Sequence, residues 1–176
     1  HEAAVDADAA GNLYYAWVAA DRLPYLVVSA DRGASWSEPI ALAPPGLLAA
    51  ALPALAATPD GRVGVSYYGS YDAPPAASVP PCETDLTGCS GRALFPPPTV
   101  RSTWSGHVAL VVDALGEPRV WTATTGERPL VRGECGPIRC QKAYDFQDVQ
   151  MAADGAAWAT FVDVEGGQEL LVARLG

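Results

Sequence analysis

The sequence predicts an all-β protein, and two observations carry this prediction. Helical periodicity is nearly absent, because the 16 Pro and 17 Gly divide the chain into short alternating runs rich in Val, Tyr, Trp and Thr, which are typical of strands. The second observation is a repeat. Three runs start on a glycine and resemble one another, namely "GNLYYAWVA" from Gly11, "GRVGVSYYG" from Gly61 and "GAAWATFVD" from Gly155.

Each of these runs places a small residue directly before an aromatic one. The small residues are Ala16, Ser66 and Thr160, and the aromatic residues that follow them are Trp17, Tyr67 and Phe161. Neighbouring side chains of a strand point to opposite faces, so this pattern predicts sheets stacked face to face, with large residues fitting small ones. Four strands repeating every forty to fifty residues or so are the signature of a β-propeller.

The strands follow in order along a single partial propeller domain, residues 1–176. Blade one, about 1–45, is predicted to have strands near 3–6, 13–19, 24–29 and 36–42. Blade two, about 50–125, has strands near 52–57, 62–69, 105–112 and 119–124, with a long insertion at 72–104. Blade three, about 145–176, has strands near 146–152, 156–162 and 169–173 and lacks its fourth. We therefore expect the remaining blades to come from another chain, another copy or a missing part of the same precursor.

The turn between the third and fourth strands of blade one reads "SADRGASW", residues 29–36. Asp31 can accept hydrogen bonds from backbone N–H groups of its own turn, and Gly33 tolerates a positive φ. Ser29 can add a local hydroxyl bond, and the ring of Trp36 can fold under the hairpin. The pattern contains no nucleophile paired with a base, so it predicts a stabilised turn.

This stretch resembles the Asp-box, or bacterial neuraminidase repeat, of secreted sialidase-like β-propellers, and it has all four defining residues: Ser29, Asp31, Gly33 and Trp36. Blade two has a degenerate copy in Asp113, Gly116 and Trp121. A second segment, residues 133–158, is similar to one in secreted bacterial members of this family, with a cysteine-bounded loop before a strand and an "ADG" turn. The resemblance implies a six-bladed ring of which this chain forms about half.

The catalytic pattern of that family is not visible in the chain. Members that cleave sialic acid carry an Arg-Ile-Pro motif, three arginines that clamp a carboxylate, a Tyr/Glu nucleophile pair and an Asp acid/base. Here "GPIRC" has those letters in another order. No catalytic residue is assigned, and the resemblance leaves the enzymatic activity open.

Composition narrows the possible partners. The net charge of −9 and the 11 scattered basic residues argue against nucleic-acid binding, which needs clustered Lys and Arg. The longest apolar run, residues 46–57, is too short for a membrane span and contains Pro53. The sequence starts on His1 without a leader, so we expect either a removed signal peptide or a longer precursor. The excess of Arg over Lys and the high Ala content are typical of a GC-rich bacterium.

Four cysteines form two close pairs, Cys82 with Cys89 and Cys135 with Cys140. Four thiols allow three pairings, of which the local one is the simplest. Zinc is the alternative, but the spacings are longer than usual for a zinc site and His107 is remote from both pairs. We therefore expect disulfides, no metal and a secreted or cell-surface location.

The two long loops, 72–104 and 125–145, are predicted to lie on the same rim of the ring, opposite the Asp-box turn. Arginines, tyrosines and carboxylates of this rim are candidates for a polar ligand: Arg contacts anionic groups, Tyr stacks on sugar faces, and Asp or Glu bonds hydroxyls. The candidates are Tyr71, Arg128, Arg132, Glu134, Tyr144, Asp145 and Asp148. The alternative is that these are solvated loop residues. His107 and Tyr67 are predicted to be packed in the core.

The sequence therefore predicts a secreted sialidase-like propeller portion that binds a carbohydrate or another polar ligand, without a cofactor, and that could be a glycoside hydrolase. The alternative function is a non-catalytic assembly module whose open blade edge pairs with another chain or with the missing half of the propeller.

Overall fold

The computed structural model describes residues 3–72, 102–126, 128–133, 147–167 and 169–176, and these form three antiparallel sheets of four, five and three strands. The cysteines and the candidates Glu134, Tyr144 and Asp145 lie outside the described residues. In the part of the chain that is described, no helix is long and apolar enough to cross a membrane.

Sheet one is a meander in the order β1-β2-β3-β4. Its strands are β1 (Ala3–Ala7), β2 (Leu13–Val18), β3 (Pro24–Ser29) and β4 (Ile40–Ala41). The fourth strand is shorter than predicted. Pro39 precedes β4 and has no N–H to donate to a neighbouring strand. Before Pro39, the N–H of Ser37 donates to the carbonyl of Val28 at 2.8 Å, so the chain contacts β3 there through a single backbone bond.

Sheet two is the central and most buried sheet, with strands β5 (Ala49–Ala57), β6 (Val63–Ser70), β7 (Thr103–Val112) and β8 (Arg119–Thr124) in that order. All eight residues of β6 are buried. A short fifth strand, β9 (Val131–Arg132), pairs with the start of β7 and was not predicted. Pro53 is accommodated because the register of β5 shifts between Ala51 and Ala54, which is where a sheet tolerates a missing donor.

Sheet three has the order β10-β11-β12, with strands β10 (Asp148–Met151), β11 (Ala157–Asp163) and β12 (Glu169–Leu175). Of the twelve strands in the described residues, ten overlap a predicted strand by four residues or more. The two exceptions are the two-residue strands β4 and β9. The all-β prediction is therefore confirmed.

The three sheets stack in chain order, with one apolar core on each side of sheet two. The first core contains Tyr14, Ala16 and Leu26 of sheet one together with Val65 and Tyr67 of sheet two. The second contains other residues of sheet two, including Tyr68, Val108 and Leu110, together with Ala159 and Phe161 of sheet three. Tyr67 and His107 are buried, as predicted.

Hydrogen bonds also join neighbouring sheets. The carboxylate of Asp6 in β1 accepts the N–H of Ala57 in β5 at 2.9 Å. On the other side, the hydroxyl of Tyr68 accepts the N–H of Val162 at 3.0 Å and donates to its carbonyl at 3.3 Å. A buried polar group must find such partners, and these bonds fix how each sheet lies on the next.

The 29–36 turn is held together by its own side chains. Asp31 accepts the Ser35 hydroxyl at 2.5 Å, the Ser35 N–H at 2.8 Å and the Ser29 hydroxyl at 2.7 Å. Ser29 in turn accepts the N–H of Gly33 at 2.7 Å, and Gly33 has a φ of 89°. Trp36 stays half exposed and packs edge to face on Tyr15. The residues of this stretch thus build a self-bonded turn.

We expect Asp31 to make stability depend on acid. Hydrogen bonds from Ser35 and then Ser29 lower the pKa of Asp31 to about 2, below its usual value near 4. A lowered carboxyl pKa contributes stability above the unfolded pKa, and this contribution is lost as the pH falls from about 4 to about 2. For Asp31→Asn, the melting temperature should fall less between pH 4 and pH 2 than it does for the wild type. An Asp31→Asn variant with the same acid dependence as the wild type would contradict this.

Candidate functional site

A cleft of about 390 Å³ opens where β6 ends and β7 begins, on the rim opposite the 29–36 turn. Its lining combines one aromatic side chain with three hydroxyl side chains, namely Tyr71, Thr103, Ser105 and Thr124, around the bare backbone of Gly69. Hydroxyl groups both donate and accept hydrogen bonds. The cleft therefore offers a sugar or another hydroxyl-bearing molecule several hydrogen-bonding groups and one exposed ring.

The strand register places these residues together. Tyr67 pairs with His107, which pairs on its other side with Thr124, and Gly69 pairs with Ser105. These side chains share the face of sheet two that packs on sheet one, because they alternate along the strands with residues of the opposite face. The cleft is thus the continuation of this face beyond the apolar core.

Asp72 fixes the edge of the cleft. Its carboxylate accepts the backbone N–H of Thr103 at 2.5 Å and the Thr103 hydroxyl at 2.8 Å. These two bonds join the end of the segment that follows β6 to the first residue of β7. Charge-assisted bonds of this kind are roughly twice as strong as neutral ones, so the floor of the cleft is preorganised.

His107 lies beneath the cleft. Its ring stacks on Tyr67 at 5.4 Å with an interplanar angle of 6°, and lies 5.8 Å from the ring of Tyr71. It also covers Gly69, where an added Cβ would come within 2.7 Å of the His107 Nε2. Neither ring nitrogen has a hydrogen-bond partner in the described structure, and burial lowers the pKa of His107 to about 4. The ring is therefore neutral at pH 7.

Of the seven ligand-binding candidates, Tyr71 lines the cleft and is half exposed. Arg128 lies in the sequence between the lining residues Gly126 and Pro129, but its guanidinium pairs with the fully buried Asp163. The second carboxylate oxygen of Asp163 accepts the N–H of Gly166 at 2.7 Å. Arg132 lies 3.8 Å from Glu165. Both arginines therefore link the rim of sheet two to sheet three.

Asp148 does not join this group. It begins β10, and its carboxylate accepts the N–H of Val149 at 2.8 Å and the side-chain amide of Gln150 at 3.4 Å. Both partners are local, so Asp148 behaves as the solvated strand-end carboxylate of the alternative interpretation. Sequence reasoning missed Thr103, Ser105 and Thr124. The register was an available signal for two of them, since Ser105 pairs with Gly69 of the "YYGSY" run and Thr124 pairs with His107. Thr103 pairs instead with Arg132 of the short strand β9.

A second cleft, of about 420 Å³, lies on the opposite rim between the turns that precede β6 and β11. Its charged side chains already have local partners. Asp60 accepts the Thr58 hydroxyl and lies 3.5 Å from Arg62, while Asp154 accepts Arg174 at 3.0 Å. Across the described ranges, no group of three or more His, Cys, Asp or Glu side chains could hold a metal ion.

These features define a class: an all-β protein of three stacked antiparallel sheets, with a cleft on one rim whose described lining residues are uncharged and include three hydroxyl side chains. No known protein family and no curated protein matches the sequence. Among solved structures, a protein of unknown function from Dyadobacter fermentans DSM 18053 is similar to 98% of the chain, with a TM-score of 0.49 and 14% sequence identity. The chain spans about half of that protein, 50% of its length.

Proposed function

We propose that the protein binds a carbohydrate in the cleft bordered by Tyr71, and that its three sheets are successive blades of a secreted, sialidase-like β-propeller. The observation that carries the ligand proposal is the combination of the exposed Tyr71 ring with the hydroxyls of Thr103, Ser105 and Thr124. Binding sites usually combine an apolar surface with a few polar groups that fix orientation.

The propeller proposal is supported by order and repetition. Sheets one and two are four-strand meanders in chain order, apart from the short β9, and sheet three repeats the first three strands. The same glycine-based pattern lies in the central strands β2, β6 and β11. The self-bonded turn of residues 29–36 matches the Asp-box resemblance.

Recognition without chemistry fits the described cleft better than hydrolysis does. Glycoside hydrolases use two carboxyl groups that flank the scissile bond. Two described carboxylates are already engaged, Asp72 by Thr103 and Asp163 by Arg128. The lining residues that the structure describes are uncharged, which favours uncharged sugars over sialic acid, whose carboxylate pairs best with an arginine.

The ligand proposal is tested by calorimetric titration of neutral and sialylated oligosaccharides into the purified protein. Tyr71→Ala should weaken binding of a neutral sugar about tenfold, because it removes a stacking surface worth about 1.4 kcal/mol. Thr124→Val should also weaken binding, since it removes one hydroxyl and keeps the side-chain shape.

Trp121→Ala is the matched control, because Trp121 is an exposed aromatic of β8 that does not line the cleft. Equal loss of affinity in Tyr71→Ala and Trp121→Ala, or no binding to any member of the panel, would contradict the proposal. Release of free sugar from the same panel would instead show that the protein is a hydrolase.

A further inference from the structure

His107 is a buried polar side chain whose nitrogen atoms are unpaired. The residue is 1% exposed, and neither ring nitrogen has a hydrogen-bond partner among the described residues. Most buried polar groups of folded proteins have a partner, because an unpaired group keeps the full cost of leaving water. A phenylalanine would stack on Tyr67 in the same way without this cost. Residues that reduce stability in this way are expected where they serve a function.

The unpaired edge of the imidazole lies against the cleft. Gly69 lines the cleft, and a Cβ added there would lie 2.5 Å from Cδ2 and 2.7 Å from Nε2 of His107. The ring therefore occupies the space that a side chain at position 69 would take. Two more lining residues are its neighbours in sheet two, since Thr124 pairs with His107 and Ser105 lies two residues before it on the same face of β7.

Tyr71 is the half-exposed neighbour of this ring. The two ring centroids are 5.8 Å apart with an interplanar angle of 50°. On another side the Tyr71 ring packs on Gly46, where an added Cβ would lie 3.9 Å from it. Tyr71 is 52% exposed, whereas Tyr67, the other ring stacked on His107, is fully buried. Exposed side chains change rotamer within nanoseconds, so Tyr71 is the neighbour that can turn away from the imidazole.

We propose that Nε2 of His107 forms a hydrogen bond to one hydroxyl group of the bound sugar, which reaches it when Tyr71 turns outward to stack on the sugar ring. This assignment rests on the proposed function, since it requires a sugar in the cleft. A hydroxyl group both donates and accepts, so it suits either tautomer of the neutral imidazole. The sugar hydroxyl supplies the partner that the buried nitrogen lacks.

His107 then determines specificity more strictly than the hydroxyl side chains of the lining do. Thr124 is exposed and Ser105 is half buried, so water can replace a ligand group that either of them loses. The Nε2 of His107 is enclosed, and a sugar without the matching hydroxyl leaves it unpaired. Sites with a buried hydrogen-bonding group reject analogues that lack the matching hydroxyl, because that group then stays unsatisfied.

The test removes each partner of this hydrogen bond in turn. The probes are the methyl glycosides of glucose, galactose and mannose with their monodeoxy derivatives, titrated into the full chain at pH 7. For a glycoside that binds, one monodeoxy derivative should bind the wild type about tenfold more weakly than its parent does. His107→Phe should bind the parent about tenfold more weakly. It should bind that derivative as well as the wild type does, because the partner of the missing hydroxyl is already gone.

Tyr71→Ala and Thr124→Val are the matched controls. Each should weaken binding of the parent but keep the tenfold preference for the parent over this derivative, because His107 is still present. Urea unfolding checks that His107→Phe folds. The nitrogen NMR signal of His107 Nε2 in the wild type gives an independent measurement that needs no variant. This signal should shift on titration with the parent glycoside and stay in place with the deoxy derivative.

Two results would overturn the assignment and leave sugar binding through Tyr71 intact. One is an equal preference for the parent over every derivative in the wild type and in His107→Phe. The other is an Nε2 signal that the bound parent glycoside leaves unchanged. If the wild type binds no glycoside of the panel, the proposed function fails and the assignment fails with it, so the two failures give different results.

Discussion

His107→Phe is expected to remove about 3 kcal/mol of the stability that the protein loses between pH 6.5 and pH 4. His107 is 1% exposed, and burial lowers its pKa to about 4. An unfolded histidine takes up a proton near pH 6.5, so a difference of this size corresponds to about 3 kcal/mol. His107 is therefore expected to make the stability of the protein fall with acid between pH 6.5 and pH 4.

The sign follows from proton uptake. Below pH 6.5 the unfolded chain binds a proton at this histidine and the folded chain does not, so acid favours unfolding at about 1.4 kcal/mol per pH unit until pH 4. Carboxylates act in a lower range. Burial acts to raise the pKa of Asp8 but its hydrogen bonds lower it overall, and Thr58 lowers that of Asp60. The stabilisation from these carboxylates is lost only as the pH falls below about 4. One pH series therefore separates their effect from that of His107, which acts between pH 6.5 and pH 4.

The packing around His107 shows why Phe is the suitable replacement. The ring stacks on Tyr67 and contacts Tyr71, and neither nitrogen has a described hydrogen-bond partner. An aromatic hydrocarbon keeps both ring contacts and removes the unsatisfied polar atoms, which are costly when buried. His107→Leu is a smaller substitute that also cannot titrate.

Urea unfolding at half-unit steps of pH from pH 7 to pH 2 measures the effect. The wild type should lose stability steadily over this range, whereas His107→Phe and His107→Leu should stay level until the carboxylates titrate. Asp31→Asn is the control, since it should keep the loss above pH 4 and alter the one below it. A wild type as stable at pH 4.5 as at pH 7 would show that His107 is protonated without penalty.

The sequence predicted sheets better than it predicted the cleft. Strand positions follow from local alternation and from the glycines and prolines that divide the chain. The shared pattern after Gly11, Gly61 and Gly155 placed the central strands β2, β6 and β11. The short β9 was missed because two residues carry no periodicity. Its pairing with β7 is set by tertiary contacts, such as the Trp104 Nε1–H that donates to the carbonyl of Gly133 at 2.9 Å.

The site was harder because its residues come together only across strands. Arg128 and Arg132 looked like anion-binding groups in the sequence, but their partners Asp163 and Glu165 stand far along the chain. A local sequence pattern cannot predict an ion pair between residues that are so far apart in the sequence. Thr103, Ser105 and Thr124 are ordinary strand residues whose role appears only when the register aligns them with Tyr71 and Gly69.

Phe161 lies in the core between sheets two and three, so its replacement tests how far the stability of the protein depends on the packing of these two sheets. We expect Phe161→Ala to lower the free energy of unfolding by about 3–5 kcal/mol, the usual cost of removing a buried aromatic ring.

Phe161 is fully buried and lies edge to face with Tyr68 at 5.6 Å. It also fills the space above Gly106, where an added Cβ would come within 2.8 Å of the ring. The chain uses glycine at 106 because this ring approaches the backbone of β7, so truncation leaves a cavity that the sheets cannot easily close.

Trp17 and Trp158 provide the comparison within the same molecule. Trp17 occupies the position equivalent to Phe161 in sheet one and is only half buried, and Trp158 is 44% exposed on the other face of β11. Trp17→Ala and Trp158→Ala should each lower the free energy of unfolding by less than about 1.5 kcal/mol, because little surface leaves contact with the core.

Unfolding in urea then distinguishes a cooperative stack from three loosely joined sheets. If sheet three is held by Phe161 and by the Tyr68 bonds to Val162, the variant should unfold in one transition at a lower midpoint with an unchanged m-value. A separate early transition would show that sheet three unfolds independently of the other two. A loss equal to that of Trp158→Ala would show that the second core does not join the sheets.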